Sequence, residues 1–117
     1  MLLLLLLAVA FSTTGAYSVV RTNAGNGNLN VASPTDIVMC DTTGTNMVTV
    51  TLPLISLNPT YALWICDTGM NAGNNPVTIL PQTGNTLKKG RTPLTISYDG
   101  LCVFFSNDGV SNWVTSV

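Results

Sequence analysis

The sequence contains no histidine and no glutamate, and its 117 residues include only four Lys or Arg and five acidic residues. Charged residues make up 8% of the chain, against roughly 25% in an average soluble domain. Without histidine, Ser-His-Asp and Cys-His catalytic arrangements and imidazole metal sites are excluded, and the usual group for proton transfer near neutral pH is missing. We therefore expect a protein that is not an enzyme and that needs no cofactor, metal or small-molecule substrate.

A basic surface is also missing. The formal net charge is −1 and the pI is about 4.7, which removes the electrostatic basis for holding nucleic-acid phosphates. In contrast, 46% of the residues are hydrophobic, and the mean hydropathy is +0.42. A single domain of this composition would be poorly soluble alone. We expect a structural subunit that buries one or more faces against copies of itself or a larger body.

No apolar run is long enough to cross a bilayer. The longest one, residues 1–11, is about half of the roughly 20 residues that a transmembrane helix needs. It lacks the basic residues that begin a signal peptide, although Thr14-Gly15-Ala16 has the small residues of a cleavage site. We expect residues 2–11, the leucine-rich segment, to be a retained arm covered by a partner. A signal peptide and shallow membrane insertion are the alternatives.

From Tyr17 onward, short runs with strand periodicity are separated by turn residues, which is typical of an all-β sandwich or barrel. In residues 47–52, Val48, Val50 and Leu52 alternate with threonines and are expected to share one face. The runs 37–40, 62–66 and 101–105 are apolar at every or nearly every position. Such strands are expected to be covered on both faces, either by a second sheet on one side and a subunit on the other or as central strands at an oligomer axis.

Turn residues suggest how the strands are connected. Asp99-Gly100 predicts a tight hairpin that pairs residues 93–98 with 101–106. We divide the chain into an apolar arm with a first short strand (1–22), a polar link (23–33) and a β-sandwich domain (34–117). The expected fold is a small antiparallel, jelly-roll-like sandwich.

The three cysteines each lie in an apolar strand, and no pair has the two-residue spacing of a zinc or redox motif. We interpret Cys40, Cys66 and Cys102 as buried thiols that behave as small apolar residues. Their odd number argues against a secreted protein stapled by disulfides, and thus against a signal peptide.

Asp67-Thr68-Gly69 resembles the catalytic turn of retroviral-type aspartic proteases, in which the aspartates of two copies share a proton and no histidine is needed. The glycine expected downstream in that family has only a poor counterpart here, because Gly90 follows two lysines. Any β-turn also selects Asp and Gly. A loop that turns the chain between strands is therefore the favoured interpretation, and a protease is a remote alternative.

The segment 34–117 resembles the small trimeric β-domain of tailed-phage head-decoration (cement or head-fibre) proteins, which also occurs in some tail-fibre tips. The resemblance rests on residues 48–53, Ile65-Cys66-Asp67 with Gly69, residues 74–79 with Pro81 and Gly84, Tyr98, residues 106–109 and Asn112-Trp113. Two departures are Cys66, where a lysine is common, and Asn58-Pro59-Thr60, where a glycine often precedes the strand.

This resemblance implies a homotrimer on the outer surface of a bacteriophage virion, bound to the major capsid protein and stabilising the head. The alternatives are a tail-fibre or spike domain that binds a host receptor, and a secreted or envelope-anchored β-protein. The expected capsid-anchoring residues are Leu2, Leu3, Leu4, Leu5, Leu6, Leu7, Val9, Phe11, Tyr17 and Val19. The expected trimer interface or core comprises Val48, Val50, Leu52, Trp64, Ile65, Phe104, Phe105 and Trp113. The expected exposed loops contain Asn71, Asn74, Lys88, Lys89 and Arg91.

Overall fold

The computed structural model describes residues 19–23, 28–32, 35–44, 47–87 and 92–117. These residues form ten β-strands and one short 3-10 helix (Ile55–Leu57), and no α-helix occurs among them. The strands are β1 (Val19–Asn23), β2 (Asn28–Asn30), β3 (Ile37–Asp41), β4 (Val48–Thr51), β5 (Leu63–Asp67), β6 (Val77–Leu80), β7 (Thr86–Leu87), β8 (Leu94–Ile96), β9 (Cys102–Asn107) and β10 (Asn112–Thr115). The expectation of an all-β protein is confirmed, and β2 lies within the segment assigned to the polar link.

The chain alternates between two sheets. Odd-numbered strands and β10 form a six-stranded sheet in the order β1-β3-β5-β9-β10-β7, and the other even-numbered strands form a four-stranded sheet in the order β2-β4-β6-β8. From β1 to β6 the chain changes sheet at every step, and neighbours within a sheet run parallel from β1 to β3 to β5 and from β2 to β4 to β6. The expected antiparallel, jelly-roll-like arrangement is therefore wrong, since both sheets are mixed.

The predicted hairpin at Asp99-Gly100 is also wrong. Strand β8 pairs with β6, and β9 pairs with β5 in the other sheet. The turn itself exists: the Leu101 amide donates to the Tyr98 carbonyl at 3.2 Å, and Gly100 has a φ of 74° that favours glycine. The turn residues thus mark a change of direction, but they do not determine which strand each arm pairs with.

A single hydrophobic core lies between the two sheets. The inward side chains alternate along each strand, as in Val48 and Val50 of β4 and in Ile65 of β5, all of which are fully buried. Phe105 and Trp113 are the largest fully buried side chains, and the Trp113 ring packs edge-on against Tyr61. The period-2 pattern predicted from the sequence is confirmed for residues 48–52.

Two of the three cysteines form a disulfide bond. Cys66 and Cys102 are paired in register across β5 and β9, with their Cα atoms 4.0 Å apart. Only Cys40 is a free, buried thiol, so the interpretation of all three as buried thiols is wrong. The cysteines that pair are 36 residues apart, and only the strand register brings them together. Their odd number therefore no longer argues against an oxidising environment.

The disulfide should contribute substantially to stability. For a closed loop of this length, we expect its loss in a Cys66→Ser, Cys102→Ser variant to lower the free energy of unfolding by about 3–4 kcal/mol in denaturant titrations.

Burial, and then the negative charge of Asp67, raise the pKa of the Cys40 thiol to about 12. Alkylation followed by intact mass should therefore label no cysteine in the native protein, one after denaturation, and three after denaturation and reduction. Three labels without reductant would contradict the disulfide.

Candidate interaction surface

The three apolar runs of the sequence lie side by side in the six-stranded sheet, as strands β3, β5 and β9. Their inward residues, such as Val38, Ile65 and Val103, belong to the core. Their outward residues are also apolar, although no second layer covers them within the described residues. This outer apolar face consists of Val19, Ile37, Met39, Trp64, Cys66, Cys102 and Phe104.

One row of this face crosses four strands. The register places Val19 of β1 beside Ile37 of β3, Ile37 beside Trp64 of β5, and Trp64 beside Phe104 of β9. Trp64 is 45% exposed and Val19 is 37% exposed. The Trp64 and Phe104 rings are tilted against each other with their centres 5.0 Å apart. Aromatic side chains grouped in this way are typical of the centre of a protein interface.

The corresponding row on the outside of the four-stranded sheet is polar. It runs from Asn28 of β2 through Thr49 of β4 and Thr78 of β6 to Thr95 of β8. The two outer faces of one small domain therefore differ sharply in character. The threonine row can remain in water at little cost. Exposure of the row of Val19, Ile37, Trp64 and Phe104 to water is unfavourable, so its burial would stabilise the protein.

A cleft of about 400 Å³ adjoins the exposed row at the end of the sheet where β3 and β5 begin. Its lining consists of Asp36, Ile37, Ala62, Leu63, Trp64 and Phe104. Asp41, at the far end of β3, is the one charged residue among the outward positions of β3, β5 and β9. The register also places Arg21 of β1 beside Met39, and Asp36 lines the cleft. The outward residues of β5 and β9 carry no charge, so this part of the face fits an apolar partner better than a polar one.

The residues expected at a trimer interface or in the core divide into two groups. The core contains Val48, Val50, Leu52, Ile65, Phe105 and Trp113, each fully buried. Trp64 and Phe104 lie on the outer apolar face. Among the expected loop residues, Asn74 is exposed and Asn71 is partly buried, while Lys88, Lys89 and Arg91 lie outside the described residues. The expected anchoring residues Leu2 to Leu7, Val9, Phe11 and Tyr17 also lie outside them, and Val19 begins β1.

The carboxylate of Asp67, at the end of β5, organises the loops at one end of the sandwich. It is 3% exposed and accepts hydrogen bonds from the Thr42 hydroxyl at 2.6 Å and from the backbone amides of Gly69, Ala72 and Gly100 at 3.0–3.1 Å. Burial raises the pKa of this carboxyl, but the four hydrogen bonds outweigh burial and leave its pKa below the ordinary value.

The other two residues of Asp67-Thr68-Gly69 also have structural partners. The Thr68 hydroxyl donates to the Cys40 carbonyl at 3.2 Å. A Cβ atom at Gly69 would lie 2.4 Å from the Thr42 nitrogen, so the close approach of these two loops requires glycine. These contacts support the loop-turning role of the tripeptide that the sequence favours.

Within the described residues, no group of three or more Cys or Asp side chains could hold a metal ion. No helix in this part of the chain has the length and apolar character needed to cross a membrane. No protein-family model matches the sequence, and no curated protein matches it.

The Thr42–Asp67 hydrogen bond can be tested with a neighbouring control. Thr42→Val removes, at nearly constant volume, the hydroxyl that donates to Asp67 and accepts from the Asn71 amide at 3.1 Å. It should lower the free energy of unfolding by about 1.5–3 kcal/mol, as for hydrogen bonds to charged groups. Thr43 is exposed and its hydroxyl donates to exposed Asp41, so Thr43→Val should cost no more than about 0.5 kcal/mol. Equal losses in denaturant titrations would contradict the special role of Asp67.

The pKa of Asp67 predicts a pH dependence. Because folding lowers this pKa, the carboxylate contributes stability above its unfolded pKa of about 3.9, and that contribution is lost as pH falls through the lower folded value. Asp67→Asn should therefore be clearly less stable than the parent protein at pH 7, and the difference should shrink as pH falls below about 4. Urea titrations at several pH values measure this difference. A difference that is constant with pH would contradict the assignment.

Proposed function

We propose that the protein is a structural subunit that acts through binding alone, as a homotrimeric decoration or cement protein on the outer surface of a bacteriophage capsid. The observation that supports this proposal most strongly is the outer apolar face, with Trp64 and Phe104 side by side in its exposed row. A charge-poor chain that places exposed Trp64 beside Phe104 in an apolar row on one sheet face is consistent with a subunit that is built into an assembly.

Burial of this face would supply much of the energy for self-association. Trp64, Phe104 and Ile37 lie in one row, so a single partner surface can cover them together. Large aromatic side chains at the centre of an interface commonly contribute 2 kcal/mol or more each. In a closed threefold ring, each subunit would use such a surface, and the polar threonine row of the other sheet would stay in solvent.

The resemblance to head-decoration domains supports the capsid as the larger partner. The residues that carry it occupy β4, the end of β5 with the Asp67 loop, β6 and the β9–β10 turn, which together make up the middle of the fold. A trimer that bridges neighbouring capsomers gains avidity, because several subunits must separate at once. In this proposal the leucine-rich segment, Tyr17 and Val19 contact the major capsid protein, and the loops around Asn71, Asn74 and 88–91 face outward.

The Cys66–Cys102 disulfide is compatible with this location. Disulfides persist on virion surfaces, where the surroundings are oxidising, and are rare in reducing cytosol. Cys102 is exposed and Cys66 is partly buried, so the bond lies within the same face as Trp64.

The proposal predicts a trimer whose formation depends on Trp64. Light scattering of the purified protein should give three times the chain mass of 12.3 kDa. Trp64→Asp should weaken self-association by about 30-fold or more, as expected for an interface residue worth at least 2 kcal/mol. Thr95→Asp, at an exposed position on the outside of the four-stranded sheet, is the matched control and should leave the mass unchanged.

A stable monomer at all concentrations would overturn the trimer. The capsid location is tested separately by quantitative mass spectrometry of purified virus particles. Hundreds of copies per particle support decoration, whereas a handful would indicate a tail-fibre component and contradict it.

A further inference from the structure

The outer apolar face begins where residues 1–18 join the sheet. Val19 is the first residue of edge strand β1, and it is also the first member of the row that continues through Ile37, Trp64 and Phe104. The chain that precedes Val19 therefore starts at the rim of this face. The adjoining cleft lies at the same end of the sheet, between the beginnings of β3 and β5.

The size of the face fits a short segment better than a whole subunit. Three strands spaced about 4.8 Å apart, each with five residues rising about 3.3 Å, give an area of roughly 240 Å². A stable protein interface buries about 800 Å² on each partner, so a trimer that forms through this face must also bury surface around it, whereas a short segment can cover the face alone. Ten residues in a helix about 15 Å long and 10 Å wide cover roughly 150 Å² and fit within this face, whereas a fully extended strand of ten residues, about 33 Å long, would extend beyond it.

The connection is long enough. The strand that carries Trp64 lies two strand spacings from β1, about 10 Å away. Residues 12–18 span up to about 23 Å when extended, which is more than the distance required. A tether this short also gives a high effective concentration, in the millimolar range, so at low protein concentration a segment of the same chain outcompetes one from another copy.

The leucine-rich segment and the outer apolar face are both apolar. Residues 2–11 contain only leucine, alanine, valine and phenylalanine, and the outward residues of β5 and β9 that they would meet carry no charge. We propose that, in the free subunit, the leucine-rich segment docks in cis on the outer apolar face and covers Trp64 and Phe104. This inference concerns the subunit before assembly and does not depend on the identity of the larger partner.

The docked segment would also set an order of events. If the trimer forms through the same face, a step that rests on the proposed function, the segment must leave before the subunits can join. Its departure would then free the leucine residues for a contact with the capsid. Assembly and segment docking would therefore compete for Trp64.

Photo-cross-linking of the full chain tests the docking. A photoreactive phenylalanine analogue is placed at Leu5, and equal amounts of unlabelled and ¹⁵N-labelled protein are mixed at a concentration where light scattering shows only monomer. We expect cross-links to peptides that contain Trp64 or Phe104, joining peptides of the same isotopic label. Mixed-label pairs would show a segment exchanged between copies, and cross-links elsewhere would show a different site; either result overturns the proposal.

Two variants provide the controls. Leu3→Glu with Leu6→Glu should reduce docking by roughly 100-fold, because each buried leucine contributes about 1.5 kcal/mol or more. In this variant, acrylamide should quench Trp64 fluorescence more strongly, whereas buried Trp113 should stay protected. The Thr95→Asp chain should cross-link from Leu5 as the parent does. Unchanged quenching in the glutamate variant, or an intact mass showing that residues 1–16 have been removed, would also overturn the proposal.

Discussion

The buried carboxylate of Asp67 is the interaction on which the arrangement of the central strands depends. It ends β5, and its four donors come from the loop after β3, from the loop after β5 and from the turn before β9. These are the three adjacent strands that form the outer apolar face. With one negative charge and four convergent donors, the network holds the ends of β3, β5 and β9 together and lets Gly69 approach Thr42 closely.

This constraint explains why two apolar surfaces can coexist on the same strands. Once β3, β5 and β9 are aligned, the inward residues pack against the four-stranded sheet, and the outward residues necessarily fall into rows. A shift of β5 by one residue would put Trp64 into the core and Ile65 outside. The Cys66–Cys102 disulfide links β5 covalently to β9 in the same register. It lies on the outer apolar face, on the side of the sheet that faces away from the core.

The sequence predicts the strands better than their pairing. Period-2 alternation in residues 47–52 indicates which side chains are buried, and Asp99-Gly100 indicates a turn, because both signals are local. The alternation of the chain between two sheets is not local, so the parallel pairing of β3 with β5 and the disulfide could not be derived from spacing. The doubly apolar runs predicted strands with apolar residues on both sides, but only the register shows that Val19, Ile37, Trp64 and Phe104 form one row.

The consequences of the low number of charged residues differ between the two sheets. The threonine row of the four-stranded sheet interacts with water through uncharged hydroxyl groups. A neighbouring subunit close to this row would therefore not have to desolvate a charge. On the six-stranded sheet, a lysine or glutamate beside Trp64 would keep the free chain soluble but would have to be desolvated whenever the face is covered. If this face is covered first by the leucine-rich segment and then by a partner, as we propose, the chain avoids that penalty at both steps. On that proposal, the low charge is a requirement of repeated burial rather than a deficit in solubility.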